Sequence, residues 1–326
     1  MKSLHRAWIT GLLSTVLLGL AQAQAPAYPN KPLRIVVPYA PGGPADLMVR
    51  AIGQQMGESW GQPFVVDNKP GANEIIAADL VAKSPADGYT FLVASDGAYS
   101  LNQHLYPKIP YDPVKDFEPV AKLAVGQLML VTRPDFPASN VQEFIDYVKR
   151  NPGKLNYASI GAGGVNHLAS AWFNNINGLQ MEHVAFKGLP AAVQELMAGR
   201  IDAMFSVTGG VAPFIESGKV KGLAVSGQHR QPAAPKVPTF AEVGFPNFEA
   251  SYYFGVMAPR GTPPEVTERF ARDMAKVIQA PEFKAKYLQP LGFDAAGDTP
   301  AQFAAFLKAD RELGAKKVKV SGAKLD

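Results

Sequence analysis

Ile35-Val36-Val37-Pro38-Tyr39-Ala40-Pro41-Gly42-Gly43-Pro44-Ala45-Asp46-Leu47-Met48-Val49-Arg50 passes from a Val/Ile-rich run through a glycine turn into a helical pattern. A short β-branched run of this kind suits a strand buried on both faces, and Pro41-Gly42-Gly43 turns the chain at the strand's carboxyl end. Pro44 suits the first helical position, where its missing N–H leaves no bond unmade, so Gly43 becomes the N-cap and Asp46 the third helical residue. A carboxylate there can accept from free amides and complement the positive helix end, and Arg50 follows four residues on. The corner leaves bare backbone N–H groups at a helix start, which is what a bound carboxylate or phosphate requires.

The same arrangement returns at Asn156-Tyr157-Ala158-Ser159-Ile160-Gly161-Ala162-Gly163-Gly164-Val165-Asn166-His167-Leu168-Ala169. Two such corners, each followed by further strand and helix units, predict two similar α/β lobes with a cleft at the carboxyl ends of their strands. Between the corners, strands are predicted over 63–67 and 89–94, with helices to about Trp60 and Lys83. The loop Ser95-Asp96-Gly97-Ala98-Tyr99-Ser100 then opens onto the same edge as the first corner. Residues 120–131 read as an extended connection into the second lobe, where Ser139-Asn140-Val141-Gln142 reads as a capping box before the stripe Val141, Phe144, Ile145, Val148. Further strands are expected near 181–186, 201–207 and 221–226, and Ala250 to Pro259 returns the chain to the first lobe. Thr262-Pro263-Pro264-Glu265 and Thr299-Pro300-Ala301-Gln302 open the last two helices, the second carrying Phe303, Phe306 and Leu307 on a core-facing stripe.

The 326 residues, 47% apolar and 18% charged, suit one large or two ordinary folded domains. Lys2 and Arg6, an apolar core from Ala7 to Leu20, and Ala21-Gln22-Ala23 make residues 1–23 a secretory signal peptide cleaved after Ala23. The chain has no cysteine, which excludes disulfides, thiol chemistry and a lipidated cysteine anchor. The expected address is the periplasm of a Gram-negative cell. Without residues 1–23, 30 basic residues stand against 28 acidic ones, and no basic stripe interleaved with aromatics suggests nucleic acid.

Gly161-Ala162-Gly163-Gly164-Val165-Asn166 begins like a dinucleotide fingerprint but carries Asn166 at the third glycine position. There is no phosphate-loop lysine motif and no Gly-x-Ser-x-Gly elbow. His104, His167, His183 and His229 form no pair at zinc-ligand spacing, so neither a metal site nor a cofactor is expected. His167, on the first turn of the second corner, can either reach a bound acid or brace its loop, and Lys187 can either meet a carboxylate or stay solvated. The stretches 39–46, 95–100, 159–167 and 206–210 supply the candidate ligand-binding residues Tyr39, Pro41, Gly42, Gly43, Ser95, Tyr99, Ser159, Gly161, Gly163, Asn166, His167 and Ser206. They contain no Lys or Arg. Tyr39, Tyr99, Tyr252 and Tyr253 are candidate aromatic walls.

Tyr28-Pro29-Asn30-Lys31-Pro32-Leu33, Val37-Pro38-Tyr39-Ala40-Pro41-Gly42-Gly43, Asp87-Gly88-Tyr89-Thr90, Tyr111-Asp112-Pro113, Gly153-Lys154-Leu155-Asn156-Tyr157, His183-Val184-Ala185-Phe186-Lys187-Gly188 and Val237-Pro238-Thr239 resemble the blocks of the Bug-type substrate-binding receptors of tripartite tricarboxylate transporters. The resemblance covers essentially all of the chain after residue 23. It implies a two-lobed α/β periplasmic binding protein of the type II, Venus-flytrap kind, with a hinge-linked cleft that closes on small carboxylates. It also implies that Tyr39 to Gly43 hold one carboxylate through backbone amides and ordered water, and that Ser159, Gly161 and their neighbours face the ligand from the other lobe. After Gly71-Ala72 the chain departs from the pattern, with Asn73 and Glu74 where the family usually has glycine.

The lobes are expected at 26–126 with 249–326, and at 127–248. The expected function is a monomeric receptor that delivers an organic acid to membrane transporter subunits, with no catalysis. A ligand-sensing module with the same pocket is the alternative, and Asp46, the one acid at the first corner, is explained as a helix cap.

Overall fold

The structure, a computed structural model, describes residues 28–186, 188–248 and 250–325. Residues 1–23, expected as a signal peptide, and Lys187 lie outside the described residues. Ten strands form one continuous mixed sheet: β1 (Leu33–Val37), β2 (Phe64–Asn68), β3 (Thr90–Ser95), β4 (Phe117–Thr132), β5 (Leu155–Ser159), β6 (Met181–Ala185), β7 (Ala203–Val207), β8 (Lys221–Val225), β9 (Ser251–Pro259) and β10 (Phe293–Ala295). Their order is β2-β1-β3-β9-β4-β7-β5-β6, with β8 and β10 both paired to β4.

β1 lies parallel between β2 and β3, as three successive βα units require, and β5 lies parallel between β6 and β7. The long strand β4 joins these two parallel sets. Its Phe117–Gln127 part runs antiparallel to β9, and its Leu128–Thr132 part pairs with β7 and β8. The segment read as a connection is therefore a strand shared by two half-sheets. Because β9 also pairs with β3, two antiparallel strands carry the chain between lobes.

Helices cover both faces of each half-sheet: α1 (Pro44–Trp60), α2 (Ile75–Ala82), α3 (Val141–Arg150), α4 (Val165–Asn177), α5 (Leu189–Met197), α6 (Thr208–Glu216), α7 (Pro264–Gln279) and α8 (Pro300–Ser321). In the first lobe one core joins Met48, Phe91, Phe270 and Met274, and the opposite face packs Val36, Leu92, Phe303 and Leu307. In the second, Phe136, Phe144, Phe173, Phe205 and Phe240 form an aromatic cluster. The Val141, Phe144, Ile145, Val148 stripe is buried in it as its spacing demands.

The Thr299 capping box forms as written in the sequence: the Gln302 amide donates to the Thr299 hydroxyl, and the Gln302 side chain accepts from the Thr299 amide. The α3 cap differs by one residue. Asn140 takes the N-cap, accepting from the Glu143 amide at 2.9 Å, and the Glu143 carboxylate accepts from the Ser139 amide. Asn140 wins because it stands immediately before Val141, where the buried stripe begins, and its short side chain reaches the third helical amide.

Candidate functional site

The two glycine corners fold alike. Gly43 before α1 has φ −74° and ψ 165°, Gly164 before α4 has φ −72° and ψ 163°, and neither helix start carries a side-chain cap. At the first corner Asp46 folds back on the turn. Its carboxylate accepts from the Gly42 amide at 2.9 Å, from Arg50 Nε, and from Asn68 Nδ2 at 2.8 Å, while Asn68 also donates to the Tyr39 carbonyl. Burial would raise the Asp46 carboxyl, but the bonds from Arg50, Gly42 and Asn68 outweigh it and hold the group below the usual carboxylate range. Asp46 is an ionised brace for the corner, with every partner accounted for.

A cavity of about 420 Å³ opens beside this corner, lined by Tyr39, Gly43, Ala45, Leu189, Val207, Gly209, Gly210, Tyr252, Phe254, Leu291 and Phe293. Both lobes contribute, with the hinge strand β9 between them. Three helices begin on its wall: α1 at Gly43 and Ala45, α5 at Leu189, and α6 at Val207, Gly209 and Gly210. The amides of a helix's first turn have no partners within the helix and carry its positive dipole end. No charged side chain lines the cavity. Its walls are aliphatic and aromatic, with Tyr39 packed edge-to-face on Phe254, and Phe254 against Phe293.

Of the expected site residues, Tyr39 and Gly43 line this cavity, whereas Pro41 and Gly42 are exposed and are not among its lining residues. Ser95 lies at the end of β3, where its hydroxyl and amide donate to the Glu74 carboxylate. Tyr39 also gives its hydroxyl to Glu74. Burial and then the Glu74 charge push the Tyr39 hydroxyl well above its ordinary value, so it remains a donor.

Tyr99 is not a wall of the cleft. It is fully buried in the first-lobe core, where its hydroxyl accepts from the Ala94 amide at 3.0 Å and lies at 3.0 Å from the Gly255 carbonyl. The helical turn Gly97–Leu101 swings it inward, a turn that the loop-like composition of 95–100 hides. Tyr253 is likewise buried, its hydroxyl donated to Asp310, whereas Tyr252 does reach the cavity.

The second corner forms a separate cluster. The rings of His167 and His183 stack 3.8 Å apart, with the Tyr157 ring beside the pair, 5.1 Å from His183 and 6.3 Å from His167. His167 Nδ1 accepts from the Gly163 amide, and the Ser159 hydroxyl lies 2.7 Å from His183 Nε2 and donates to the Gly161 carbonyl. Burial, and then His183, press the His167 imidazole down to about 4. It is a neutral brace. Asn166 donates to the Phe205 carbonyl from its buried place at the start of α4, and Ser206 is fully buried on β7. None of Ser159, Gly161, Gly163, Asn166, His167 and Ser206 lines the cavity. A Cβ at Gly163 would meet Leu105 and Leu325 within about 3.1 Å, so this corner faces the other lobe's apolar segments.

The cavity residues that the sequence reading missed are Ala45, Leu189, Val207, Gly209, Gly210, Phe254, Leu291 and Phe293. Val207-Thr208-Gly209-Gly210 carried a usable signal, a strand running through glycines into a helix. Leu291 and Phe293 carried none. Among the described residues no three His, Asp or Glu side chains are grouped to hold a metal ion, and no helix is long and apolar enough to cross a membrane.

A two-lobed sheet with bare helix starts around an interlobe cavity agrees with the comparisons to known proteins. The sequence profile of the family described as "Tripartite tricarboxylate transporter family receptor" matches residues 48–318. The chain belongs to this receptor family. It is 34% identical to "Protein BugT" of Bordetella pertussis (strain Tohama I) over 306 residues, covering 94% of each chain. Among solved structures it is similar to "R. palustris Rpa4515 with adipate", at 32% identity and TM-score 0.78, over 91% of this chain and 100% of that one. It is also similar to "MatC (Rpa3494) from Rhodopseudomonas palustris with bound malate", at 31% identity and TM-score 0.73, over 89% and 100% of the two chains. The tripartite tricarboxylate transporter receptors are a solute-binding family, not an enzymatic one.

Proposed function

We propose that the chain, freed of residues 1–23, is a periplasmic receptor that closes its lobes on a small organic carboxylate and delivers it to membrane subunits of a tripartite tricarboxylate-type transporter. The observation that carries this reading is the meeting of three bare helix starts in one cavity with no charged lining. Amides at a helix start favour an anion, and the absence of a cation limits how much negative charge the site can accept. The preferred ligand is then a mono- or dicarboxylate with an apolar or aromatic middle, ahead of citrate, because aliphatic and aromatic walls reward such a body. Adipate and malate in the two neighbouring structures support the ligand class.

Tyr39 and Gly43, with the adjoining turn residues Pro41 and Gly42, are the first-corner members of the proposed site. The lobes divide at 126/127 and at 248/249, on β4 and just before β9. Closure follows from differential affinity: contacts to α1 and to α5 and α6 can be made together only when the lobes meet, so the ligand favours the closed state.

The test is a melting screen of the chain lacking residues 1–23 against mono-, di- and tricarboxylates, sugars and neutral amino acids. A binding acid at 100 times its dissociation constant adds about 2.7 kcal/mol of stability. Stabilisation by sugars or neutral amino acids, with none by any carboxylate, overturns the reading.

A further inference from the structure

Glu74 is a carboxylate that the chain itself places at the ligand edge of the first lobe. It follows β2 in a turn where three successive non-glycine residues, Ala72, Asn73 and Glu74, hold φ of 45°, 48° and 75°. Left-handed backbone costs about 1 kcal/mol or more at each such residue and persists only where the surroundings over-determine it. Here Asn73 donates to the Asn102 side chain at 2.7 Å, and Asn102 donates back to the Asn73 carbonyl at 2.7 Å. The strained turn drives Glu74 inward, to 7% exposure.

Inside, both oxygens are filled. Oε1 accepts from the Tyr39 hydroxyl and from the Ser95 hydroxyl, the latter at 2.6 Å; Oε2 accepts from the Ala98 amide at 2.8 Å and the Ser95 amide at 3.3 Å. A carboxylate has about four acceptor sites, so the set is complete. All four donors stand at the carboxyl ends of β1 and β3, the edge where a parallel sheet receives its ligand. The donors left to an incoming acid are the helix-start amides and the Tyr252 hydroxyl on the cavity wall. A second carboxylate in the cavity would meet Tyr252, Phe254, Leu291 and Phe293, with the Glu74 charge behind Tyr39 and no cation to offset it.

We propose that Glu74 restricts the receptor to acids with a single carboxylate and an apolar body, by filling with its own carboxylate the donor set that would otherwise take the second one. The inference rests on the carboxylate reading of the cavity and narrows it.

The experiment is calorimetric titration of the chain lacking residues 1–23 with two matched pairs, hexanoate against adipate and benzoate against terephthalate. The wild type should bind each monoacid at least tenfold more tightly than its diacid. Glu74→Gly, which suits the left-handed φ and empties the donor set, should tighten the diacids at least tenfold while moving the monoacids less than threefold. Glu74→Gln, which keeps the shape and removes the charge, should shift the same ratio in the same direction by a smaller factor. A wild type that binds adipate and terephthalate as tightly as their monoacids overturns the inference whether or not either variant folds. So does a folded Glu74→Gly with the wild-type ratio, which would leave Glu74 a loop brace alone. No heat from any of the four acids overturns this inference, and it overturns the carboxylate reading as well only where the melting screen shows no stabilisation by any carboxylate.

Discussion

Replacing Gly43 by valine separates binding from folding at the first corner. The residue sits at φ −74° and ψ 165°, extended backbone open to any side chain. A Cβ there would touch only the Ala40 carbonyl oxygen, at 3.6 Å, an ordinary contact. An apolar N-cap costs about 1 kcal/mol relative to glycine, and the stiffer unfolded chain returns about 0.4–1 kcal/mol, so stability should change by less than about 1 kcal/mol. Binding has no such offset. Gly43 lines the cavity where the α1 amides open, and the valine methyls would stand between those amides and the acid. Losing one or two charge-assisted hydrogen bonds, each about 1.5–3 kcal/mol, weakens binding by about 3 kcal/mol, or roughly a hundredfold in Kd. Calorimetry with the best acid from the screen gives the affinity, and urea unfolding gives the stability. Gly43→Ala should fall between wild type and valine. A valine variant that binds within threefold of wild type, or whose lost affinity is matched by lost stability, refutes the placement of the acid at α1.

Tyr99→Phe should cost about 1–3 kcal/mol of stability by leaving the Ala94 amide and the Gly255 carbonyl short of a partner, with ligand affinity unchanged; a weaker Kd in a stable variant would return Tyr99 to the site. His167 titrates near 4 when folded against 6.5 in a free chain, so between these values the unfolded state binds the extra proton. Stability is therefore full above pH 6.5 and falls as pH drops toward 4, with a limiting slope of about 1.4 kcal/mol per pH unit for one proton. Urea unfolding across that range should show a shallower slope in His167→Gln, and equal slopes would remove His167 as the cause. Gly126→Ala should weaken binding about tenfold, because its Cβ would lie 2.3 Å from the Tyr252 ring and drive that ring into the cavity; unchanged affinity would show that Tyr252 swings elsewhere.

What the sequence made legible was local backbone chemistry. Gly43, Pro44 and Asp46 announce a strand-to-helix corner because only certain residues fit those positions, and Thr299 with Gln302 announces a capping box for the same reason. The second corner announced itself equally well, and its N-cap angles match the first within a few degrees. What covers each corner was not legible. Gly163 faces Leu105 and Leu325, while Gly43 faces an open cavity, and that difference is made by segments far away in the chain. Leu291 and Phe293 reach the cavity by the same route. Tyr99 misled because a tyrosine in a Ser/Asp/Gly-rich stretch looks like a loop aromatic, and one inward helical turn makes it core.

This division explains why the acid's identity is the hardest property to read. Helix-start amides hold an anion whatever the side chains beside them, so the residues that fix the charge carry no code for the rest of the ligand. In the proposed site the discriminating surface is the wall, which Tyr39, Leu189, Tyr252, Phe254, Leu291 and Phe293 supply from separate segments of the chain. Tyr252 has a further consequence, because it belongs to β9 and pairs across to Gly126 of β4, on the two strands that join the lobes. A ligand body that fills the cavity therefore presses on the hinge as well as on the lobes. An acid whose middle fits against Tyr252 then gains contacts in the closed form that a shorter acid cannot make, even when both seat their carboxylate on the same amides. Selectivity should consequently appear as a difference in the extent of closure between acids of equal charge, with the wall residues setting its size.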